Sequence, residues 1–405
     1  MREHLLSERA RNVERSVIRE ILKLTKRPEV ISFAGGVPNP NTFPKEGLAQ
    51  AAMAEIRENY SNCLQYGVTE GVEELREEMI RWLEGFGFQL KTEETMVTSA
   101  SQQALDLVGK TFINRGDGIF LGAPTYLGGI QAFSVFRPDF IGTPVAADGL
   151  DIAVLREKIE ERKEADLPCK LIYVVPDFQN PSGVTLSEAK RKEIVAVAEE
   201  YDLLVVEDAP YFALRYEDEP INPLGSFDEN GRVISVFSLS KVLSSGMRLA
   251  VAVGPAELIG ELVKVKQPTD LCTPPFTQWI AARWLAENDL NEQIERVRNT
   301  YKVGRDAILE ALERHFPQEK GVEWTKPKGG LFVWVRLPEG IDAEELFYQA
   351  VEEENVAFVP GEQFFVTEEG KNTMRLSFSL PGAEEIEEGI KRLSKVVRRR
   401  LSLKV

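Results

Sequence analysis

Lys241 closes the run Phe237-Ser238-Leu239-Ser240-Lys241, and Arg248 follows seven residues later. The preceding Val233-Ile234-Ser235-Val236-Phe237 has the apolar character of a buried strand. Lysine is a costly residue at the end of such a strand, because its ammonium loses hydration. Two hydroxyls and a guanidinium around one amine describe a nucleophile held beside an anion. A Schiff base to pyridoxal phosphate uses both. The competing structural reading is a lysine that snorkels from a strand end.

Five further segments carry residues of the right type. Val97-Thr98-Ser99-Ala100-Ser101-Gln102-Gln103 reads as a strand end feeding a helix, where hydroxyls and backbone N–H groups can hold an anion or simply cap the helix. Tyr126 lies on the loop after the next strand and could stack on a flat ring. Asn180, before Pro181, is kept out of the helical region and can project its amide from a rigid turn. Asp208 ends the apolar run Leu203-Leu204-Val205-Val206-Glu207 and needs a partner, which a protonated pyridine nitrogen would supply. Arg375 sits in an alternating strand, and its fork suits a carboxylate. Ser238-x-x-Lys241 also matches the S-x-x-K of serine β-lactamases, but S-D-N and K-T-G are both absent.

The elements that must position these residues read as follows. Strands are expected at Thr95-Thr98, Gly118-Leu121, Phe140-Val145, Leu171-Val175, Leu203-Val206, Val233-Phe237 and Ala250-Val253. Helical runs at 102–113, 128–135, 151–163 and 187–200 fall between several of them. That alternation predicts an α/β fold with a large, mainly parallel seven-stranded sheet covered by helices. Active residues of such a sheet belong at the carboxyl ends of its strands. Helices over 276–315, broken near Asn288-Asp289, lead into a smaller α+β unit. Its strands are expected at Val322-Thr325, Leu331-Arg336, Val356-Val359 and Met374-Ser379, with helices at 342–353 and 383–402. An amphipathic helix is expected over 7–26. The N-terminal segment is expected to pack on the smaller unit. The expected division is 1–45 with the small domain, 46–290 as the large domain and 291–405 as its C-terminal small partner.

Composition narrows the function classes. A net charge of −16 over 405 residues argues against nucleic-acid binding. The two histidines, His4 and His315, leave little for metal or serine–histidine machinery, so a proton carrier would be a lysine or a carboxylate. The three cysteines, Cys63, Cys169 and Cys272, suggest no disulfide framework. Without a signal-peptide core or an apolar run long enough to span a bilayer, a cytoplasmic protein with no membrane partner is the expectation. The basic C-terminus, Lys391 to Arg400, follows Glu384-Glu385 and Glu387-Glu388, the charge order that suits a helix dipole.

In this order, Tyr126, Asn180, Asp208-x-x-Tyr211, Lys241, Arg248 and Arg375 resemble the fold-type-I pyridoxal phosphate aminotransferases of class I/II, over nearly the whole chain. Ser16-Val17-Ile18-Arg19-Glu20, Ile31-Ser32-Phe33-Ala34-Gly35-Gly36, Gln65-Tyr66-Gly67, Ser101-Gln102-Gln103-Ala104 and Val356-Ala357-Phe358-Val359-Pro360-Gly361 look like the 2-aminoadipate, kynurenine and aromatic aminotransferase subgroup.

The resemblance implies roles. Lys241 would carry the cofactor as a Schiff base and serve as proton shuttle. Asp208 would hold the pyridine nitrogen protonated. Asn180 and Tyr211 would bond the ring's phenolate oxygen, and Tyr126 would stack on the ring. Ser101, Gln102, Ser238, Ser240 and Arg248 would bind the phosphate, with Tyr66 from a second subunit, which implies a homodimer with shared sites. Arg375, with Asn180 and Gly36, would receive the substrate α-carboxylate, and Arg19 a distal one. The substrates implied are aromatic amino acids, kynurenine or 2-aminoadipate as donors and 2-oxoglutarate as acceptor. C–S lyases share the cofactor core, and aminotransferase-like regulators share the fold but carry a preceding helix-turn-helix module. Ala100 stands where the family usually has Gly, so a backbone that avoids positive φ is expected there.

Overall fold

In the computed structural model, residues 3–11, 27–319 and 321–402 are described. Arg19 and most of the helix expected over 7–26 lie outside them.

All seven expected strands of the large sheet are present. They are β2 (Thr95–Thr98), β3 (Gly118–Ala123), β4 (Asp139–Ala146), β6 (Cys169–Val174), β7 (Leu204–Asp208), β8 (Val233–Ser238) and β9 (Ala250–Val253). The sheet has an eighth strand that the sequence reading missed. β5 (Gly149–Leu150) is two residues long, too short for a periodic signal, and folds back on β4. The spatial order is β2-β9-β8-β7-β6-β3-β4-β5, parallel from β8 through β4 and antiparallel at both ends.

Strand alternation divides the core into two. Ile119, Leu121, Leu171, Tyr173, Val206, Ile234 and Val236 share one cluster. Phe120, Ile172, Val174, Val205 and Val233 share another, under the helices Ile152–Glu164 and Glu188–Glu200. Side chains two apart on a strand share a face. This parity separates the adjacent acids at the end of β7. Asp208 falls on the face of Val206. Glu207 falls on the face of Val205, where it accepts from the N–H groups of Leu224 and Gly225 and from Ser235 Oγ.

The helix Ala256–Asp270 was not anticipated; Pro268 inside it interrupts the helical pattern. The helices Pro275–Glu287 and Leu290–His315 follow, with the expected break between them. Beyond them, β10 (Glu323–Trp324), β11 (Phe332–Arg336), β13 (Val359–Pro360) and β14 (Thr373–Ser377) make an antiparallel sheet in the order β10-β11-β14-β13. The single strand expected over 356–359 is two. β12 (Val356–Ala357) pairs in parallel with β1 (Ile31–Ser32), and only β13 joins the antiparallel sheet. The helices Ala343–Glu354 and Ala383–Ser402 cover this unit, and Arg399 and Arg400 of the second pair with Glu353, Glu354 and Glu345 of the first.

Candidate active site

The carboxyl ends of β2, β3, β6, β7 and β8 lie at one edge of the large sheet. A cavity of about 440 Å³ opens there. Its lining includes Ala100, Ser101, Gln102, Tyr126, Asn180, Asp208, Tyr211, Ser238, Ser240, Lys241 and Arg248, and Arg375 from the small sheet. Gly36, with Val37 and Pro38, completes the wall from the segment after β1. The structure thus brings together every anticipated site residue except two. Tyr66 is 80% exposed and lies outside this cavity. Arg19 is not among the described residues. The apolar residues Leu331 and Phe332 are buried and, like the exposed Leu271, do not line the cavity.

Lys241 lies three residues past the end of β8 and is half-buried. Its Nζ donates to the Gly36 carbonyl at 3.0 Å and lies 6.0 Å from the Tyr211 ring centre. Burial, reinforced by the like charges of Arg248 and Arg375, pushes its pKa down to about 8. That places a neutral, nucleophilic amine within reach near neutral pH.

Asp208 ends β7 and is 1% exposed. Burial raises its pKa to about 6, against the opposing pull of the Tyr173 hydroxyl and of the nearby Ser101 hydroxyl, which does not complete a hydrogen bond to it. The Tyr173 hydroxyl donates to Oδ2 at 3.1 Å, whereas Oδ1 has no hydrogen-bond partner. Tyr173 was missed in the sequence. The available signal was an aromatic with a polar tip inside the buried run Leu171-Ile172-Tyr173-Val174-Val175, but its partner on another strand was not legible.

Arg375 is 3% exposed in the middle of β14. Its Nη1 donates to Asn180 Oδ1 at 2.8 Å and its Nη2 to the Ala34 carbonyl at 2.7 Å. The guanidinium carbon lies 4.4 Å from the Phe332 ring centre and 5.1 Å from that of Phe364. Burial lowers its pKa to about 10, opposed by Tyr211 and Tyr126, so it stays charged at neutral pH. Burial also raises the phenol pKa of Tyr211 and of Tyr126, so both hydroxyls keep their protons. Gly128 leaves room for the Tyr126 ring, since a Cβ there would stand 2.4 Å from Tyr126 Cζ.

Ala100 corrects an expectation. Its φ is 63°, in the left-handed region that a glycine would occupy freely. The turn geometry from β2 into the helix Ala100–Phe112 prevails over the residue's own preference. Ser101 Oγ is buried without a hydrogen-bond partner beside this turn. In the segment before Lys241, Ser240 N–H donates to Ser238 Oγ at 3.2 Å.

The sequence profile of the family described as aminotransferase class I and II matches residues 30–393. The chain belongs to that family. It is 43% identical over 397 residues to aromatic-amino-acid aminotransferase 1 of Thermococcus litoralis, covering 98% of this chain and 94% of that one. It is 42% identical to the 2-aminoadipate transaminase of Thermus thermophilus, with 97% and 96% covered. A crystal structure of Pyrococcus horikoshii kynurenine aminotransferase superposes with a TM-score of 0.94 at 42% identity, covering 98% of each chain, and is described with PMP, kynurenine and its product bound.

The fold-type-I architecture, the subgroup resemblance and the reading as a pyridoxal phosphate-dependent aminotransferase are borne out together. The residues present fit that cofactor. A buried carboxylate oxygen and a buried hydroxyl, both without partners, share one cavity with an amine of lowered pKa.

Proposed function

We propose that this aminotransferase moves the amino group of an aromatic amino acid, kynurenine or 2-aminoadipate to 2-oxoglutarate in a ping-pong cycle. The observation that carries the site assignment is the presence, in the lining of one cavity, of both the Lys241 amine and Asp208, whose Oδ1 has no hydrogen-bond partner. When bound, pyridoxal phosphate supplies an electron sink that stabilises negative charge at the substrate Cα. Lys241 would hold the cofactor through Nζ and would serve as the base for the Cα proton, its lowered pKa suiting the amine to accept it. Asp208 Oδ1 would pair with the ring nitrogen and favour its proton. Asn180 and Tyr211 would bond the ring oxygen, and Tyr126 would stack on the ring. Ser101, Gln102, Ser238, Ser240 and Arg248 would hold the phosphate.

Arg375 receives the substrate α-carboxylate with Asn180 and Gly36, and Arg19 reads a distal carboxylate. The three relatives named above support this range of donors. Tyr66 completes the site of a second copy. Its exposure beside exposed Tyr60, Leu64 and Val68 supports a homodimer with shared sites. The division into segments 1–45, 46–290 and 291–405 and a cytoplasmic location belong to the same proposal. Among the described residues no helix is long and apolar enough to cross a membrane.

Absorbance tests the core. The purified protein is expected to be yellow, to lose the band with borohydride and to lack it as Lys241→Ala. A colourless protein that cannot be reconstituted overturns the assignment of the site. A donor panel with 2-oxoglutarate then tests the substrates. Unchanged kcat/KM of Arg19→Ala toward 2-aminoadipate would remove the role of Arg19.

A further inference from the structure

The helix Ala256–Asp270 ends against the start of the helix Ala100–Phe112, behind the cavity wall. Lys266, in the former, has no exposed side-chain surface. Its Nζ donates to Asp270 Oδ1 and Oδ2 at 2.7 and 2.8 Å and to Gln103 Oε1 at 3.2 Å. Gln103 Oε1 also accepts from Ser99 N–H at 2.7 Å, while Gln103 Nε2 donates to Asp270 Oδ2 at 2.6 Å. On the other side of Ala100, Thr98 Oγ1 donates to the Ala100 carbonyl at 3.1 Å. The chain is therefore tied by side chains before and after its left-handed alanine.

None of Thr98, Ser99, Gln103, Lys266 and Asp270 lines the cavity, whereas Ala100, Ser101 and Gln102 do. N–H groups in the first turn of a helix have no intrahelical acceptor and suit an anion. A left-handed alanine costs about 1 kcal/mol or more. Such strain persists where the surroundings over-determine it. Gln103 belongs to the subgroup-like run Ser101-Gln102-Gln103-Ala104, but the assigned roles leave it unused.

We propose that Gln103, braced by Asp270 and the buried Lys266, is a positioning residue for the cofactor phosphate: it locks Ala100 in the left-handed conformation so that the first-turn N–H groups converge on that anion. This rests on pyridoxal phosphate occupying the cavity. Gln103 touches neither cofactor nor substrate and acts through the Ser99 N–H.

The test is a spectrophotometric titration of the cofactor-free full chain with pyridoxal phosphate and, separately, with pyridoxal, which lacks the phosphate. Gln103→Ala is expected to weaken pyridoxal phosphate binding by about tenfold, the scale of one lost hydrogen bond in a part-buried, charge-assisted network. Pyridoxal binding stays within about twofold of wild type, well under the tenfold that 1.4 kcal/mol represents. Adding Ala100→Gly to Gln103→Ala is expected to restore part of the loss, because glycine reaches positive φ without the steric cost that alanine has. Lys266→Met carries the same expectation if Gln103→Ala fails to fold. Wild-type affinity in the variants overturns the proposal, as does an equal loss of both ligands. Failure of the wild-type chain to bind pyridoxal phosphate overturns instead the occupancy on which the proposal rests.

Discussion

Tyr173 on β6 donates its hydroxyl proton to Oδ2 of Asp208 on the adjacent β7, 3.1 Å away, and leaves Oδ1 without a partner. The register makes this possible. Tyr173 lies opposite Val206, and Asp208 is the next residue on that face of β7. One oxygen is committed to the protein and the other is available to a cofactor.

This arrangement makes Asp208 a liability without cofactor. Its pKa is raised from 3.8 to about 6 by burial, so the folded cofactor-free protein binds that proton more tightly than the unfolded chain does. Its contribution to stability therefore falls as pH rises from about 4 to about 6, and the penalty is complete above that. Asp208→Asn removes the charge. In urea unfolding at about pH 7 the cofactor-free variant is expected to be more stable by roughly 2–3 kcal/mol, with the advantage vanishing toward pH 4. Cofactor affinity falls in the same variant. An advantage that persists unchanged at pH 4 contradicts the burial penalty.

Lys241 titrates in the opposite sense. Its pKa is lowered from 10.5 to about 8, so its penalty is present below pH 8 and is relieved as pH rises toward the ordinary lysine value. In the cofactor-free protein, acylation of Lys241 by an amine-selective reagent, followed by mass spectrometry, is expected to show a midpoint near pH 8. Arg248→Gln removes a like charge and moves the midpoint upward. A midpoint in the ordinary lysine range contradicts the environment described for Lys241.

Arg375→Lys keeps the charge and loses the fork. A single ammonium cannot replace both the bond to Asn180 and the bond to Ala34 while presenting two parallel donors to a carboxylate. Steady-state kinetics are expected to show kcat/KM reduced by about 10- to 100-fold, with the KM for the amino donor raised. Unchanged KM with both donor and acceptor rules out the carboxylate role.

Gly128→Ala places a methyl 2.4 Å from Tyr126 Cζ and 2.5 Å from its hydroxyl oxygen, so the ring must move. The melting temperature is not expected to fall, because alanine favours the helix Leu127–Ser134 by about 1 kcal/mol. Cofactor affinity is expected to drop about 3- to 10-fold, the worth of one aromatic contact. Unaltered affinity places Tyr126 away from the ring.

The sequence by itself determined seven of the eight strands of the large sheet and the residues at their carboxyl ends. Lys241, Asp208 and Asn180 were legible because each follows an apolar run closed by a turn, and costly polar residues stand out at such boundaries. The tertiary structure decided what supports them. Gln103 meets Lys266 across 163 residues of chain, Arg375 meets Asn180 across 195, and Ala34 reaches Arg375 across 341. No local periodicity reports such contacts, and Pro268 hid the helix that carries Lys266. Asp208 was legible as the acid that closes the run, but the place of Glu207 beside it was not. Strand parity, set by register with the neighbouring strands, sent one acid into the core under Leu224 and the other into the cavity. The backbone at Ala100 is the plainest case. Alanine disfavours positive φ, yet Ala100 adopts it where bonds from Thr98 and Gln103 close around the turn.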